Sequence, residues 1–121
     1  MSSINRTVDN MLKGEISIIQ LKHGFRYGFD AVFLAAFVNS FLLKYKKKDV
    51  LLADVGSGVG TISLIIAYKN KKIKLTAIEN NDQYLELAEE NIINNNFQKQ
   101  INLLNCDIFN INKDLLNTFD I

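Results

Sequence analysis

A glycine-rich segment near the middle of the chain has the composition of a ligand-binding loop. Residues 54–60 read Asp-Val-Gly-Ser-Gly-Val-Gly, with glycines at Gly56, Gly58 and Gly60. Glycine has no Cβ, so it turns tightly and lets a ligand come close to the main chain. The segment leaves an apolar run and enters a helix-like one, which predicts a binding loop. The alternative is a strand-to-helix turn without a ligand, because glycine also favours turns for conformational reasons alone.

Three acidic residues stand at or near the ends of successive apolar runs. They are Asp54, Glu79, which lies 25 residues later, and Asp107. The carboxyl ends of parallel strands meet at one edge of a sheet, where open α/β folds bind ligands. A carboxylate at the position of Glu79 can accept hydrogen bonds from both hydroxyls of a ribose. The pattern predicts a site for a nucleoside-containing cofactor; taken singly, Glu79 and Asp107 also fit solvated surface acids.

The glycine spacing separates two classes of nucleoside cofactor. Dinucleotide-binding loops read Gly-x-Gly-x-x-Gly or Ala. Counted from Gly56, the sixth position is Thr61, and counted from Gly58 it is Ser63, so neither frame matches. An NAD-binding domain is therefore the less favoured alternative, although it shares an acid at the position of Glu79.

The elements that must position these residues follow from the apolar pattern. Four runs predict strands: Ile16 to Gln20 after a Lys13-Gly14 turn, Val50 to Val55, Ile73 to Ile78, and Ile101 to Cys106. The Val50 to Val55 run is continuous and predicts a strand buried on both faces. Helices are expected at Ala31 to Leu43 with Asp30 as N-cap, at Asp82 to Asn94 and at Asn112 to Leu116. A further helix follows the turn at residues 56–60, because Ile62, Ile65 and Ile66 have helical spacing up to Tyr68. This alternation predicts an α/β, doubly wound parallel sheet preceded by a short N-terminal β-hairpin.

Composition restricts the class of protein. The chain has 121 residues, 48% of them hydrophobic, and a formal net charge of +1, which excludes a protein that coats nucleic acid by charge alone. The longest apolar run, residues 31–43, is shorter than the ~20 residues of a membrane span, and residues 1–10 lack an apolar signal core. His23 and Cys106 have no partners at catalytic or metal-ligating spacing. We expect a cytoplasmic, soluble domain without a metal.

The motif at residues 54–60 resembles motif I of class I S-adenosylmethionine-dependent methyltransferases. Residues 20–35, Gln-Leu-Lys-His-Gly-Phe-Arg-Tyr-Gly-Phe-Asp-Ala-Val-Phe-Leu-Ala, are similar to the segment before motif I in the small-domain methyltransferases. The similarity is to the bacterial group that methylates adenine N6 in tRNA(Val), with its Gln-x-x-x-Gly-Tyr/Phe-Arg and Asp-x-x-Leu-Leu-Ala patterns. The resemblance implies a Rossmann-like fold, S-adenosylmethionine as cofactor and tRNA as substrate.

The resemblance also implies roles for individual residues. Gly24, Phe25, Arg26 and Asp30 flank the methionine end of the cofactor, and the glycine loop packs on its methionine and ribose parts. Glu79 binds the ribose, Asp107 receives the adenine amino group, and the Ile108 amide meets the ring. The cofactor-binding residues predicted are Gly24, Arg26, Asp30, Asp54, Gly56, Gly58, Gly60, Glu79, Asp107 and Ile108.

The chain departs from the resembled family at its last residues. In that family the fourth strand begins Phe-Asp and leads into Asn-Pro-Pro and an aromatic residue, which bind the target adenine. Here Phe119-Asp120-Ile121 are the last residues, and the sequence has no proline. We expect residues 1–48 to form the hairpin, cofactor-flanking loop and helix, and residues 49–121 a truncated cofactor-binding portion without catalytic residues. A non-catalytic remnant, or a subunit completed by a companion chain at the strand edge, is the alternative.

Overall fold

The N-terminal part of the protein forms the predicted hairpin. The computed structural model describes residues 5–24, 26–45 and 49–121. Strand β1 (Arg6–Met11) pairs antiparallel with β2 (Ile16–Leu21). The turn lies at the predicted position, with Gly14 at φ +85°. Strand β2 has an apolar pattern, whereas β1 reads Arg-Thr-Val-Asp-Asn-Met and is partly exposed.

The predicted parallel sheet is present. Strands β3 (Leu51–Val55), β4 (Lys74–Glu79) and β5 (Ile101–Asn105) pair in parallel in the order β3-β4-β5. Helix α2 (Thr61–Lys69) joins the first two strands, and α3 (Asp82–Asn94) joins the second pair. Because crossovers between neighbouring parallel strands are right-handed as a rule, both helices are expected on the same face of the sheet. The strand and helix bounds differ from the predicted ones by one or two residues.

The helix before the sheet, α1 (Phe29–Lys44), packs against α2. It begins earlier than predicted, and the prediction of Asp30 as N-cap is wrong. Gly28 is the N-cap, with extended backbone and no side-chain cap bond, so Asp30 lies inside the first turn. An acid in the first turn still stabilises the helix through its dipole. Among the described residues, no helix is long and apolar enough to cross a membrane.

The last residues of the chain pair with β3 on the edge opposite β4. The N–H of Ile121 donates to the Leu51 carbonyl at 3.4 Å, and the Ala53 N–H donates to the Ile121 carbonyl at 2.9 Å. This alternation is the pattern of a parallel ladder. Residues 120–121 therefore lie beside β3 in the parallel direction. A 3₁₀ turn at Ile108–Asn110 and helix α4 (Lys113–Leu116) connect β5 to this segment.

The prediction that the β3 run is buried on both faces is wrong. Leu52 is 4% exposed, but Leu51 and Val55 are 39% and 49% exposed. Successive strand residues point to opposite faces. The Leu52 side chain therefore lies on the helix-covered face, while Leu51 and Val55 lie on the other face, which is open to solvent.

A buried asparagine connects the hairpin to the sheet domain. Asn91 in α3 is fully buried, and its Oδ1 accepts the Ile19 N–H of β2 at 2.7 Å. Its Nδ2 donates to the carbonyls of Ile19 at 3.0 Å and Val59 at 2.9 Å. At the outer end of β1, Arg6 forms a two-pronged ion pair with Glu90. The Asn91 side chain thus holds both the hairpin and the glycine-rich segment in place.

Candidate cofactor-binding site

The glycine-rich segment after β3 needs glycine at each of its three positions. Gly56, Gly58 and Gly60 have φ values of +69°, +58° and +93°, in the left-handed region that other residues adopt at a cost. The N–H groups of Gly56 and Ser57 donate to the Ile78 carbonyl at 2.8 and 3.0 Å, which ties the loop to the end of β4. A Cβ on Gly56 or Gly58 would meet nothing within 4 Å. The main chain here borders open space, as a loop that contacts a ligand requires.

Glu79 ends β4 and is held in place by three main-chain N–H groups. Its Oε1 accepts from Gly58 at 3.0 Å, and its Oε2 accepts from Asn80 at 2.8 Å and Asn81 at 3.0 Å. A carboxylate has about four acceptor positions, so the group keeps capacity for a ligand. The carboxylate therefore has a fixed orientation before any ligand binds.

Two cavities adjoin at Glu79. The larger, of about 430 Å³, falls in the size range of small-molecule sites. The smaller measures about 220 Å³, and Gly56 and Glu79 line both. The larger is also lined by Gln20, Tyr27, Gly28, Asp30, Ser57, Gly58 and Tyr84 among others. The smaller is also lined by Cys106, Asp107, Ile108 and Phe109 among others. Together they form a bipartite site with one carboxylate at the junction.

Asp107 follows β5 on the smaller cavity. Its Oδ1 accepts the Phe109 N–H at 3.0 Å and caps the 3₁₀ turn at residues 108–110. The N–H of Cys106 donates to the Glu79 carbonyl at 3.1 Å, so the ends of β4 and β5 stay together. The structure thereby brings together Glu79, Asp107 and Ile108, three of the residues predicted to contact the cofactor.

Asp54 and Gly60 lie beneath the loop and line neither cavity. The Asp54 carboxylate accepts a hydrogen bond from the Ser63 hydroxyl at 2.7 Å, which connects β3 to the first turn of α2. Burial raises the pKa of Asp54, and the Ser63 bond acts against that rise. Gly60 is the N-cap of α2, and a Cβ there would lie 4.0 Å from Ala88. A direct contact of either residue with the cofactor stays a prediction; the geometry gives them a supporting position.

Arg26 is directed at the hairpin. Its guanidinium donates to Thr7, to the Leu21 carbonyl and to Asp9, at 2.9, 2.7 and 2.9 Å. Gly24 has φ +111° and lies beside Tyr84. Neither Arg26 nor Gly24 lines the cavities, and Phe25 is outside the described residues. Of the predicted methionine-end group, Asp30 alone among the described residues lines the larger cavity.

Sequence reasoning missed two of the cavity's polar side chains. Gln20 is 2% exposed; its Oε1 accepts the Tyr27 N–H at 3.0 Å, and its Nε2 donates to Asp9 at 2.6 Å. Its place at the start of the Gln-x-x-x-Gly pattern was the available signal. Tyr84 comes from the first turn of α3, and nothing local in the sequence marks it. In the described part of the chain, no cluster of three or more His, Cys, Asp or Glu could hold a metal ion.

The fold and the site together define a class of protein. A parallel sheet with a glycine loop after one strand and acids after the next two has the arrangement of a Rossmann-like domain for a nucleoside-containing cofactor. The sequence model of the Methyltransferase small domain family matches residues 32–120. The chain belongs to that family, and the predicted resemblance is confirmed.

Named relatives agree with this assignment. The chain is 31% identical over 93 residues to the tRNA1(Val) (adenine(37)-N6)-methyltransferase of Flavobacteriaceae bacterium (strain 3519-10), which covers 77% of this chain and 38% of that protein. TYW2 of P. horikoshii, solved in complex with MeSAdo, superposes with a TM-score of 0.73 at 25% identity, over 93% of this chain and 40% of that one. The aTrm5 in complex with tRNALeu has a TM-score of 0.70 at 18% identity, over 89% and 30% of the two chains, and shows the fold alone. The chain thus spans about two fifths or less of the length of these relatives.

Proposed function

We propose that this chain binds S-adenosylmethionine as the cofactor-binding part of a methyltransferase. The observation that carries the proposal is the bipartite cavity with Glu79 at its junction. This layout, with a carboxylate between two compartments, fits a nucleoside that carries a long substituent at its ribose. Family membership and the MeSAdo-bound TYW2 support the same cofactor.

The residues divide the cofactor between the two cavities. Glu79 accepts a hydrogen bond from a ribose hydroxyl at the acceptor position that its three main-chain donors leave free. Because those N–H groups already orient the carboxylate, little ordering is needed on binding. The adenine lies in the smaller cavity, with its amino group donating to Asp107 and the Ile108 amide facing the ring. The methionine part occupies the larger cavity, between Asp30 and Gly58. When bound, S-adenosylmethionine would supply a methyl group on a sulfonium: a nucleophile would bond to the methyl carbon as the carbon–sulfur bond breaks, and S-adenosylhomocysteine would leave.

We propose an adenine amine in tRNA as the substrate of the complete enzyme, with the chemistry depending on residues beyond those present here. The support is the family and the name of the Flavobacteriaceae relative. The sequence contains no proline and hence no Asn-Pro-Pro-aromatic segment to bind the target base. The chain as given is therefore proposed to bind the cofactor without catalysing transfer.

A second role has an observation in its favour. Val55 at the end of β3 and Phe33 and Phe37 on α1 are 49%, 70% and 71% exposed. These apolar surfaces suit a subunit of a split methyltransferase, in which a companion chain completes the sheet. A non-catalytic remnant without such a companion would have nothing to cover them.

Calorimetry with S-adenosylmethionine tests the cofactor proposal. Glu79→Ala is expected to raise Kd more than tenfold, which is about 1.4 kcal/mol, and Glu15→Ala, an exposed acid in the hairpin turn, should leave Kd unchanged. Asp107→Ala serves as a second variant, because removing Glu79 also frees the N–H groups it accepts from. Unchanged affinity in both site variants, with circular dichroism showing intact folding, would overturn the ribose and adenine assignments. Tighter binding of NAD than of S-adenosylmethionine would overturn the assignment of S-adenosylmethionine as the cofactor.

A further inference from the structure

Lysines gather at the end of the sheet opposite the two cavities of the candidate site. Glu79 and Asp107 lie at the carboxyl ends of β4 and β5, whereas the amino ends of these strands belong to residues 69–74, Lys-Asn-Lys-Lys-Ile-Lys, and residues 97–101, Phe-Gln-Lys-Gln-Ile. Neither segment contains an acidic residue. Their lysines are all exposed and are here called the lysine patch: Lys69, Lys71, Lys72, Lys74 and Lys99. A net charge of +1 for the whole chain thus coexists with a concentrated positive charge at one end of the sheet.

Contacts with aromatic rings and main chain hold the lysine patch together. The Lys71 Nζ lies 4.9 Å from the centre of the Tyr68 ring and 5.8 Å from that of the Phe97 ring. A cation at this distance is attracted to the face of an aromatic ring. The Lys74 Nζ donates to the Lys99 carbonyl at 2.6 Å, which joins the start of β4 to the segment before β5. The lysine patch therefore spans the starts of two neighbouring strands.

No carboxylate forms an ion pair with the lysine patch in the part of the chain that the structure describes. The ion pairs found there join Arg6 to Glu90 and Arg26 to Asp9, in and beside the hairpin. Lys72 also has no hydrogen bond or ring contact with any described residue. Like charges on one surface repel each other and destabilise the compact state. An anionic partner that contacts several of these lysines would relieve that repulsion.

A cavity of about 270 Å³ adjoins the lysine patch. Lys71 and Lys72 line it together with Tyr45, which follows the last residue of α1. The remaining lining residues are mostly apolar: Leu42, Val50, Asn70 and Ile73. The volume lies just below the range of about 300–1,000 Å³ for sites that hold a whole small molecule, so it suits a single planar ring system. Cations beside an apolar cavity with an aromatic ring match a nucleobase that is joined to a phosphate.

We propose that the lysine patch and this cavity form an RNA-binding surface. Lys71 and Lys72 take phosphates of a single-stranded segment, and one of its bases enters the cavity against Tyr45. The surface is separate from the cofactor site, because the six residues of β4 place about 20 Å between the two ends of the sheet. The choice of RNA among polyanions rests on the proposed tRNA substrate of the complete enzyme, and the surface is a second contact for that RNA.

Other anionic partners match the surface less well. An acidic polypeptide would meet the same lysines, but it brings no planar base to the cavity. An anionic lipid surface would likewise use the charge of the lysine patch alone. RNA uses both the cations and the ring-lined cavity beside them.

RNA binding by the full 121-residue chain tests the surface. The probe is a fluorescein-labelled single-stranded RNA of about 12 nucleotides, and its anisotropy is followed at salt concentrations from about 50 to about 200 mM. The double variant Lys71→Gln with Lys72→Gln should raise Kd at least about fivefold at about 0.1 M salt. It should also reduce the slope of log Kd against log salt by about 1.4, at ~0.7 for each single-strand phosphate contact. The matched control, Lys22→Gln with Lys113→Gln, removes two exposed lysines outside the lysine patch and should leave both values unchanged.

Two further variants separate the phosphate and base contacts. Lys72→Gln alone disturbs no contact with a described residue, so it should fold as the parent does and reduce the slope by about 0.7. A probe without bases keeps every phosphate. The parent should bind this abasic probe more weakly than the complete RNA, and Tyr45→Leu should bind the two probes alike.

Each outcome decides the proposal. No binding of the RNA at about 50 mM salt, or equal losses in the Lys71 and Lys72 variant and in its control, would overturn it. Equal affinity of the parent for both probes would refute the role of the cavity. Binding of polyglutamate or of phosphatidylglycerol vesicles as tightly as RNA would assign the lysine patch to another class of partner and overturn the proposal equally.

Calorimetry with S-adenosylmethionine on the same proteins distinguishes this surface from the proposed function. The lysine variants should bind the cofactor as the parent does, because the lysine patch lies at the other end of the sheet. Cofactor binding without RNA binding refutes the RNA surface alone. RNA binding that depends on the lysine patch, without cofactor binding, refutes the proposed cofactor and leaves the surface in place.

Discussion

Replacing Gly58 with alanine tests how closely the glycine loop approaches the cofactor. Gly58 has φ +58°, and an L-residue in this left-handed conformation costs about 1–2 kcal/mol. Nothing lies within 4 Å of an added Cβ, so the variant should fold with backbone strain as its main penalty. A loss of this size corresponds to about 4 °C in Tm per kcal/mol for a domain of this length.

Gly14 in the hairpin turn provides the matched control. It has φ +85°, and an added Cβ there also meets nothing within 4 Å. Gly14→Ala should therefore lose a similar amount of stability, about 1–2 kcal/mol, at a place outside both cavities. In Gly58→Ala the methyl group enters the larger cavity, and any shift of the Gly58 N–H also moves Glu79. We expect Kd for S-adenosylmethionine to rise more than about tenfold in Gly58→Ala and to stay unchanged in Gly14→Ala.

Urea unfolding and calorimetry on both variants distinguish the possible results. Wild-type affinity in Gly58→Ala would refute the close approach of the loop to the cofactor. An equal rise of Kd in both variants would assign the effect to global stability rather than to the cavity. Unchanged stability in both would contradict the left-handed conformations themselves.

Two further predictions concern buried polar residues. Asn91→Ala leaves main-chain groups of Ile19 and Val59 without their partners, at about 1–3 kcal/mol for each buried group; urea unfolding should show a loss of at least about 3 kcal/mol, and a loss below about 0.5 kcal/mol would contradict it. Because burial raises the pKa of Asp54, the stability that this group contributes is present below its ordinary pKa and is lost as pH rises through the raised value. Asp54→Asn keeps an acceptor for Ser63 but cannot ionise, so it should remove that loss. Unfolding free energies measured from about pH 3 to about pH 8 should therefore fall less with rising pH in the variant than in the parent. An identical pH profile in the two proteins would refute the assignment.

The sequence predicts the sheet and its helices well because their signals are local. Apolar runs of five or six residues, separated by helix-forming stretches, place β3, β4 and β5 within one or two residues of their observed bounds. The prediction of Asp30 as the N-cap of α1 was wrong. An acid before an apolar run is a common N-cap, but here Gly28 has the extended backbone of a cap and Asp30 is already helical. The sequence of β1 has almost no strand pattern of its own, and the strand forms through its antiparallel pairing with β2.

The candidate site likewise contains residues that the sequence predicts and residues whose roles depend on the folded structure. Glu79 and Asp107 follow from a rule about strand ends, which needs only the order of elements along the chain. The direction of a long side chain does not follow from position: Arg26 points to Asp9 in the hairpin, and no pattern in the sequence distinguishes that from the cavity. Asn91 reaches a main chain 72 residues away, so its role depends on how the hairpin packs and not on its neighbours.

The position of the hairpin explains why residues on both sides of the predicted boundary at residues 48 and 49 meet in one cavity. Gln20 in β2 accepts the N–H of Tyr27, and Arg26 and Asp9 hold the same loop against the hairpin, so the wall before α1 is fixed by the N-terminal part. Asn91 then bonds both to β2 and to the Val59 carbonyl within the glycine loop. Because one buried amide orients the opposite walls, a change that loosens the hairpin must also loosen the loop that we propose for the cofactor. The predicted separation of the chain into residues 1–48 and 49–121 therefore describes its sequence patterns, while the larger cavity depends on the contact between the two parts.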